Sequence, residues 1–146
     1  MAKFRYRMQN ILEVKMKLES QAKIAYGIAN QNYLEEQKKL QQIVLRRSSY
    51  EKILKESMMG TIDVREVAHA RADVNAIKTI MRRQMIEVHK AEKIMEDARK
   101  ALNEIMMERK THEKLREKAF EQFMEELKAE ESKEIDQLVS YTYNNR

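Results

Sequence analysis

The sequence predicts an all-α protein: two long helices folded into an antiparallel coiled-coil hairpin, with the second helix longer and overhanging the first. Three observations lead there. The 146 residues contain no Pro and only two Gly, and turns lean on both. That supply serves one helical turn; it cannot serve a sandwich, a barrel or a doubly wound sheet. The composition is mostly Ala, Leu, Met, Glu, Lys, Arg and Gln, the strongest helix formers. Apolar residues also recur at steps of three and four through most of the chain. With 42 % apolar and 36 % charged residues, the chain is too apolar for disorder and too charged for a thick core. A single hairpin is expected over residues 1–146, with helix one at about 4–58, a turn at about 59–63, helix two at about 64–140 and a frayed tail at 141–146.

Helix one carries apolar residues at Phe4, Met8, Ile11, Leu18, Ala22, Ala25, Ala29, Tyr33, Leu40, Ile43, Tyr50 and Leu54. The spacing follows one helical side but stutters near 22–33, and Lys15 and Glu36 fall beside the stripe. Such stutters unwind a supercoil locally without ending a helix. Gly27 lies mid-run, where it costs about 1 kcal/mol relative to Ala; a close approach to another backbone would explain it.

The run Ser57-Met-Met-Gly-Thr-Ile-Asp63 stops one helix and starts the next. Gly60 suits the left-handed position after a helix end. Asp63 with Glu66 three residues on reads as a capping box. Helix two then shows a strict heptad in two rows. One is Val74, Met81, Val88, Met95, Leu102, Arg109, Arg116 and Phe123; the other is Ile77, Gln84, Ala91, Ala98, Ile105, His112 and Ala119. That is an a/d seam. The expected lengths are on the order of 80 Å and 110 Å. Folding about Thr61 sets Phe4 opposite Lys118 or Ala119, so the chain beyond Phe120 has no partner. It still carries Phe120, Phe123, Met124, Leu127, Ile135, Leu138 and Val139, and an exposed apolar stripe marks an interface.

The net charge of +5 is polarised: residues 1–58 carry +6, residues 64–118 carry +4 and residues 119–146 carry −4. A basic body suits an acidic partner. Arg46-Arg47 and Arg82-Arg83 are its densest clusters, but acidic residues are interspersed throughout. The basic residues read as a solubilising face, and nucleic acid is not an expected partner. Met58, Met59 and Met107 fall outside the seam.

No catalytic set emerges. With no Cys there is no disulfide or thiolate chemistry. His69, His89 and His112 lack the pairing that a helical metal site needs. Glu66-Val-Ala-His69 is a lone Glu-x-x-His, where a bundle di-iron site needs two plus further carboxylates. No Gly-rich phosphate loop occurs. Neither catalysis nor a cofactor nor a metal is expected. No apolar run reaches membrane-spanning length, and charges interrupt the N-terminus where a signal peptide needs its apolar core. A soluble, cytoplasmic chain is expected.

The run Phe4-Arg-Tyr-Arg-Met-Gln-Asn-Ile-Leu-Glu-Val-Lys15, followed by Glu19 and Ala22, resembles the opening of FliJ proteins of the bacterial flagellar export apparatus. So do His112-Glu-Lys-Leu-Arg-Glu-Lys-Ala119 and Glu130-Glu-Ser-Lys-Glu-Ile-Asp136. The resemblance spans essentially the whole chain. It implies a two-helix coiled coil similar to the central stalk of rotary ATPases, which sits in the ring of the export ATPase FliI, contacts the export gate protein FlhA and interacts with export chaperones. It implies peripheral association with the cytoplasmic face of the membrane through that apparatus, and a monomer when alone. By resemblance, the ring contact maps to Phe4, Met8, Phe120, Phe123 and Leu127, and the gate contact to Tyr50, Ile53, Ile77 and Ile80. The chain departs from the family at Asp73-Val74, where an aromatic is expected. The residues alone leave two other readings: a cytoskeletal or scaffold coiled coil that homodimerises through the overhang, and a basic nucleic-acid-binding hairpin.

Overall fold

The structure, a computed structural model, describes residues 3–144. Two helices make up its regular structure, α1 (Gln9–Ser57) and α2 (Val64–Asn144), packed against each other, with α2 the longer. Among the described residues there is no strand. The packing divides into two compact units: residues up to Gln21 with residues from Asn103 on, and Ala22–Leu102.

The Ala22–Leu102 unit holds the turn. Met58 and Met59 donate backbone bonds to the carbonyls of Lys55 and Glu56 at 3.3 and 3.1 Å, which tightens the last turn of α1. Gly60 then takes φ +70°, the left-handed conformation that glycine adopts without steric cost. The Asp63 carboxylate accepts the Arg65 N–H at 3.0 Å, and the Asp63 carbonyl accepts the Val67 N–H at 3.1 Å. Asp63 therefore caps α2. The expected box is only half made, since no bond from Glu66 back to Asp63 forms among the described residues. The core of this unit is Ala29, Ala70, Val74 and Ile77. Gly27 approaches nothing: a Cβ placed there would meet no atom within 4 Å. The close-approach explanation for Gly27 therefore fails.

The seam of α1 differs from the expected one. Its buried and half-buried residues form two strict heptad rows, Leu12, Glu19, Tyr26, Tyr33, Leu40, Arg47, Leu54 and Lys15, Ala22, Ala29, Glu36, Ile43, Tyr50, Ser57. Ile11 and Leu18, expected inside, are 43 % and 39 % exposed, and Ala25 is also exposed. The row 11, 18, 25 is more apolar but lies one residue out of step. There is no stutter, because the seam accepts charged residues wherever α2 offers them a partner. In the Ala22–Leu102 unit, the Gln84 amide donates to the Glu36 carboxylate at 2.6 Å and to the Glu36 carbonyl at 2.9 Å. Arg47 reaches the Met81 sulfur at 3.5 Å and the Glu51 carboxylate at 2.9 Å. The α2 rows lie where the heptad put them, except that Arg116 is exposed.

In the other unit α1 begins at Gln9 rather than near Phe4. Residues 3–6 are irregular and 7–8 form a turn, closed by the Gln9 N–H bonding the Tyr6 carbonyl at 3.1 Å. The cause is a period of two: Lys3, Arg5 and Arg7 are exposed while Phe4, Tyr6 and Met8 are half-buried. A helix cannot bury alternate residues on one face. At the other end α2 continues to Asn144, past the Tyr141 where fraying was expected. Neither Gly nor Pro interrupts it, and the Thr142 hydroxyl bonds the Leu138 carbonyl at 2.8 Å. The rest of the expected tail, residues 145–146, lies outside the described residues.

Candidate functional site

Two surfaces carry the residues singled out by sequence. The first belongs to the unit formed by the N-terminal arm, the start of α1 and the end of α2. Leu12 is its buried apolar residue, 3 % exposed. Beside it Glu19 is buried, with its side chain 7 % exposed, and pairs with Arg109 across the helices. Arg109 Nη2 also reaches Glu19 Oε1 at 3.3 Å, and Nη1 reaches Glu113 Oε2 at 2.9 Å. Hydrogen bonds from Glu19, then Glu113, raise the Arg109 pKa further above its ordinary value. Lys15 donates to Glu108 at 2.7 Å, and that bond holds the Glu108 carboxyl below the usual range.

The arm packs its apolar side on α2. The Phe4 ring meets Phe120 edge-on at 5.1 Å between centroids and Phe123 at 5.5 Å, tilted by 52°. These are favourable aromatic geometries. Phe120 and Phe123 are therefore not free beyond the hairpin, as expected, but partners of the arm. Phe120 stays 47 % exposed; Phe123, Met8 and Leu127 are half-buried. An open cleft of about 590 Å³ runs beside them, walled by Phe4, Leu12, Met16, Arg116 and Phe120. From residue 128 to 144 every side chain is exposed, with Ile135 at 60 %, Leu138 at 65 % and Val139 at 63 %. This is where the unpartnered part of α2 begins.

The second surface lies in the Ala22–Leu102 unit. Of its four candidates, Tyr50 is half-buried, with the Arg46 guanidinium 6.0 Å from its ring centre. Ile53 is 53 % and Ile80 41 % exposed. Ile77 is 1 % exposed; it fills the core, and no partner can reach it. The heptad row had already placed Ile77 on the seam, so this was readable from spacing. The turn carries a further exposed apolar group that no motif or heptad spacing marks: Met58, Met59, Ile62 and Val64 are 47, 62, 57 and 78 % exposed.

His69 Nε2 lies 3.6 Å from Asp73 on an open helix face. His112 Nδ1 is enclosed without a partner, so no carboxylate orients that ring as a base. Among the described residues no group of three or more His, Asp or Glu is arranged to hold a metal ion. Among the described residues no helix is long and apolar enough to cross a membrane. What the arrangement offers is surface: aromatic and aliphatic side chains on helices whose charged neighbours keep them solvated.

No curated protein and no solved structure matches the chain. A family model does, that of the flagellar FliJ protein, over residues 4–146.

Proposed function

The chain belongs to the FliJ family and is thereby a component of the flagellar protein export apparatus; from that premise we propose that it acts without catalysis, as a coiled-coil stalk. It docks in the ring of the export ATPase FliI, links that ring to the export gate protein FlhA and escorts export chaperones. The ring contact uses the arm end of the molecule, Phe4, Met8, Phe120, Phe123 and Leu127. The gate contact uses Tyr50, Ile53 and Ile80, with Ile77 supporting them from the core. The protein is a monomer alone and lies at the cytoplasmic face of the membrane through these partners.

The observation that best supports a docking role is the stretch of α2 from residue 128 to 144, wholly exposed yet apolar along one side. A helix that serves only its own hairpin has no use for Ile135, Leu138 and Val139 in water. A stalk must also hold its partner exchangeably, and a few apolar contacts among solvated charges give that.

The test is binding to purified export ATPase. Leu127→Ala with Phe120→Ala should weaken ring binding and ATPase stimulation about tenfold, the loss of roughly 1.4 kcal/mol. Tyr50→Ala with Ile53→Ala should weaken gate binding while ring binding stays. Equal loss at both partners from either pair would reject two separate contact regions. The acidic charge of residues 119–146 disfavours the nucleic-acid reading; bulk DNA binding that falls steeply with salt would revive it.

A further inference from the structure

The apolar row that α1 leaves out of its seam is half of a larger pattern. Ile11, Leu18 and Ala25 are each followed three residues on, by Val14, Gln21 and Ile28. Together they make a second a/d set, apolar at five of its six positions. It is shifted by one residue from the Leu12 and Lys15 rows and so lies about 100° around the helix from them. None of the six is buried. Ile11, Val14, Leu18 and Ile28 are 43, 54, 39 and 57 % exposed, and Gln21 and Ala25 are exposed as well. The stripe begins in the first turn of α1 and ends where Asn32 and Glu35 take its next places. A helix with two adjacent seams packs against two neighbours, and α2 supplies one.

Each unit extends this face onto α2. In the unit of the arm, Lys15 reaches Glu108 at 2.7 Å, which marks the α2 row on this side of the seam. Leu115, one heptad after Glu108, is 44 % exposed. Lys17 edges the stripe on α1, and Lys114 and Lys118 edge it on α2, against Glu104; all four are exposed. In the Ala22–Leu102 unit, Ile94 stands two heptads before Glu108 and is 62 % exposed. An open cleft of about 270 Å³ lies there, walled by Ala29, Asn32, Ala91 and Ile94, with Glu87 and Lys90 paired at 3.5 Å on its rim.

We propose that this face is a second coiled-coil seam, which holds an amphipathic helix of another protein about five turns long, apolar at heptad spacing and carrying Glu or Asp opposite Lys17, Lys114 and Lys118. Gln21 sets the register of that helix, as a single polar seam residue does in a coiled coil. The lysine edges select an acidic partner. They also disfavour a second copy, since a two-fold pairing of this face sets lysine edge against lysine edge. None of these residues belongs to the ring or gate contacts proposed above.

The experiment titrates a dye-labelled probe helix of about three heptads with the full chain and follows fluorescence anisotropy. Leu occupies the a and d positions of the probe and Glu its e and g positions; a second probe carries Lys in place of Glu. The Glu probe should bind at least about tenfold more tightly than the Lys probe, and more weakly as salt rises. Leu18→Ser with Ile28→Ser should cost it about tenfold. Helicity and melting should stay unchanged, because both side chains lie outside the hairpin seam. Lys114→Glu with Lys118→Glu should invert the preference between the probes. Leu34→Ser, at a residue 54 % exposed on another face of α1, should change nothing. Equal binding of the two probes, no binding of the Glu probe, or binding that survives Leu18→Ser with Ile28→Ser overturns the second seam. A dimer in sedimentation that Leu18→Ser with Ile28→Ser dissolves makes a second copy the occupant and overturns it too. The export ATPase takes no part in the measurement, so the stalk reading stands whichever result is found.

Discussion

Glu19 and Arg109 show how one charged pair can set the alignment of two helices. Glu19 sits at a seam position with 6 % of its surface exposed, where any unpaired charge is costly. A shift of either helix by one residue would remove the guanidinium from the carboxylate. Glu36 with Gln84 works the same way in the other unit. Such pairs contribute less to net stability than to the choice of register. Arg109→Met should therefore destabilise the protein, because it strips the guanidinium from a buried carboxylate. Glu19→Leu with Arg109→Leu should melt at or above the temperature of the unaltered chain. Thermal circular dichroism reads both, and a double variant as unstable as the single one would mean that the pair itself supplies stability.

At the scale of elements, the two glycines act in opposite ways. Gly60 holds φ +70°, a conformation that costs a residue with a Cβ about 1 kcal/mol. Gly27 lies inside α1 with open space around it. Gly60→Ala should thus lower stability by about 1 kcal/mol, and Gly27→Ala should raise it by about as much. Urea midpoints of the two variants should move in opposite directions. The elements also show what periodicity can and cannot reveal. The α2 heptads were legible because apolar residues occupy nearly every seam position. The α1 register was not, because Ile11, Leu18 and Ala25 offered a more apolar row than Leu12, Glu19 and Tyr26. Only the partner helix, with Arg109 and Gln84 at the right heights, decides for the second. The arm was missed although its signal was present: Lys3-Phe-Arg-Tyr-Arg-Met8 alternates with period two, and six residues are too few to stand out beside a helix of 49.

For the molecule as a whole, the buried apolar core among the described residues is small: Leu12, Ala29, Ala70, Val74 and Ile77. Charged and polar bonds between the helices therefore matter more than in a globular domain. Glu36 is held below its ordinary pKa of 4.5, first by the Gln84 amide and then by Lys39. Glu108 is held below the same value by Lys15. A carboxyl whose folded pKa is depressed stabilises the fold fully above its unfolded pKa, and that contribution is lost as pH falls through the folded one. The melting temperature should be level down to about pH 5 and fall below about pH 4.5. Glu36→Gln with Glu108→Gln should flatten that fall; an unchanged acid limb would place the sensitivity in other groups. The sites were half legible on this scale. The exposed end of α2 followed from unequal helix lengths, but its starting point did not, because it depended on an arm that extends the partnered region through Phe4.

That arm has a practical consequence. Residues 3–6 lie outside any helix and present Lys3 and Arg5 to solvent, with Arg7 in the turn that follows. A backbone without helical bonds opens locally at little cost. Brief trypsin treatment should clip there before it cuts either helix, taking Phe4 away and leaving the rings of Phe120 and Phe123 bare to a hydrophobic dye. A bulky tag fused at the amino end would disturb the same aromatic contact.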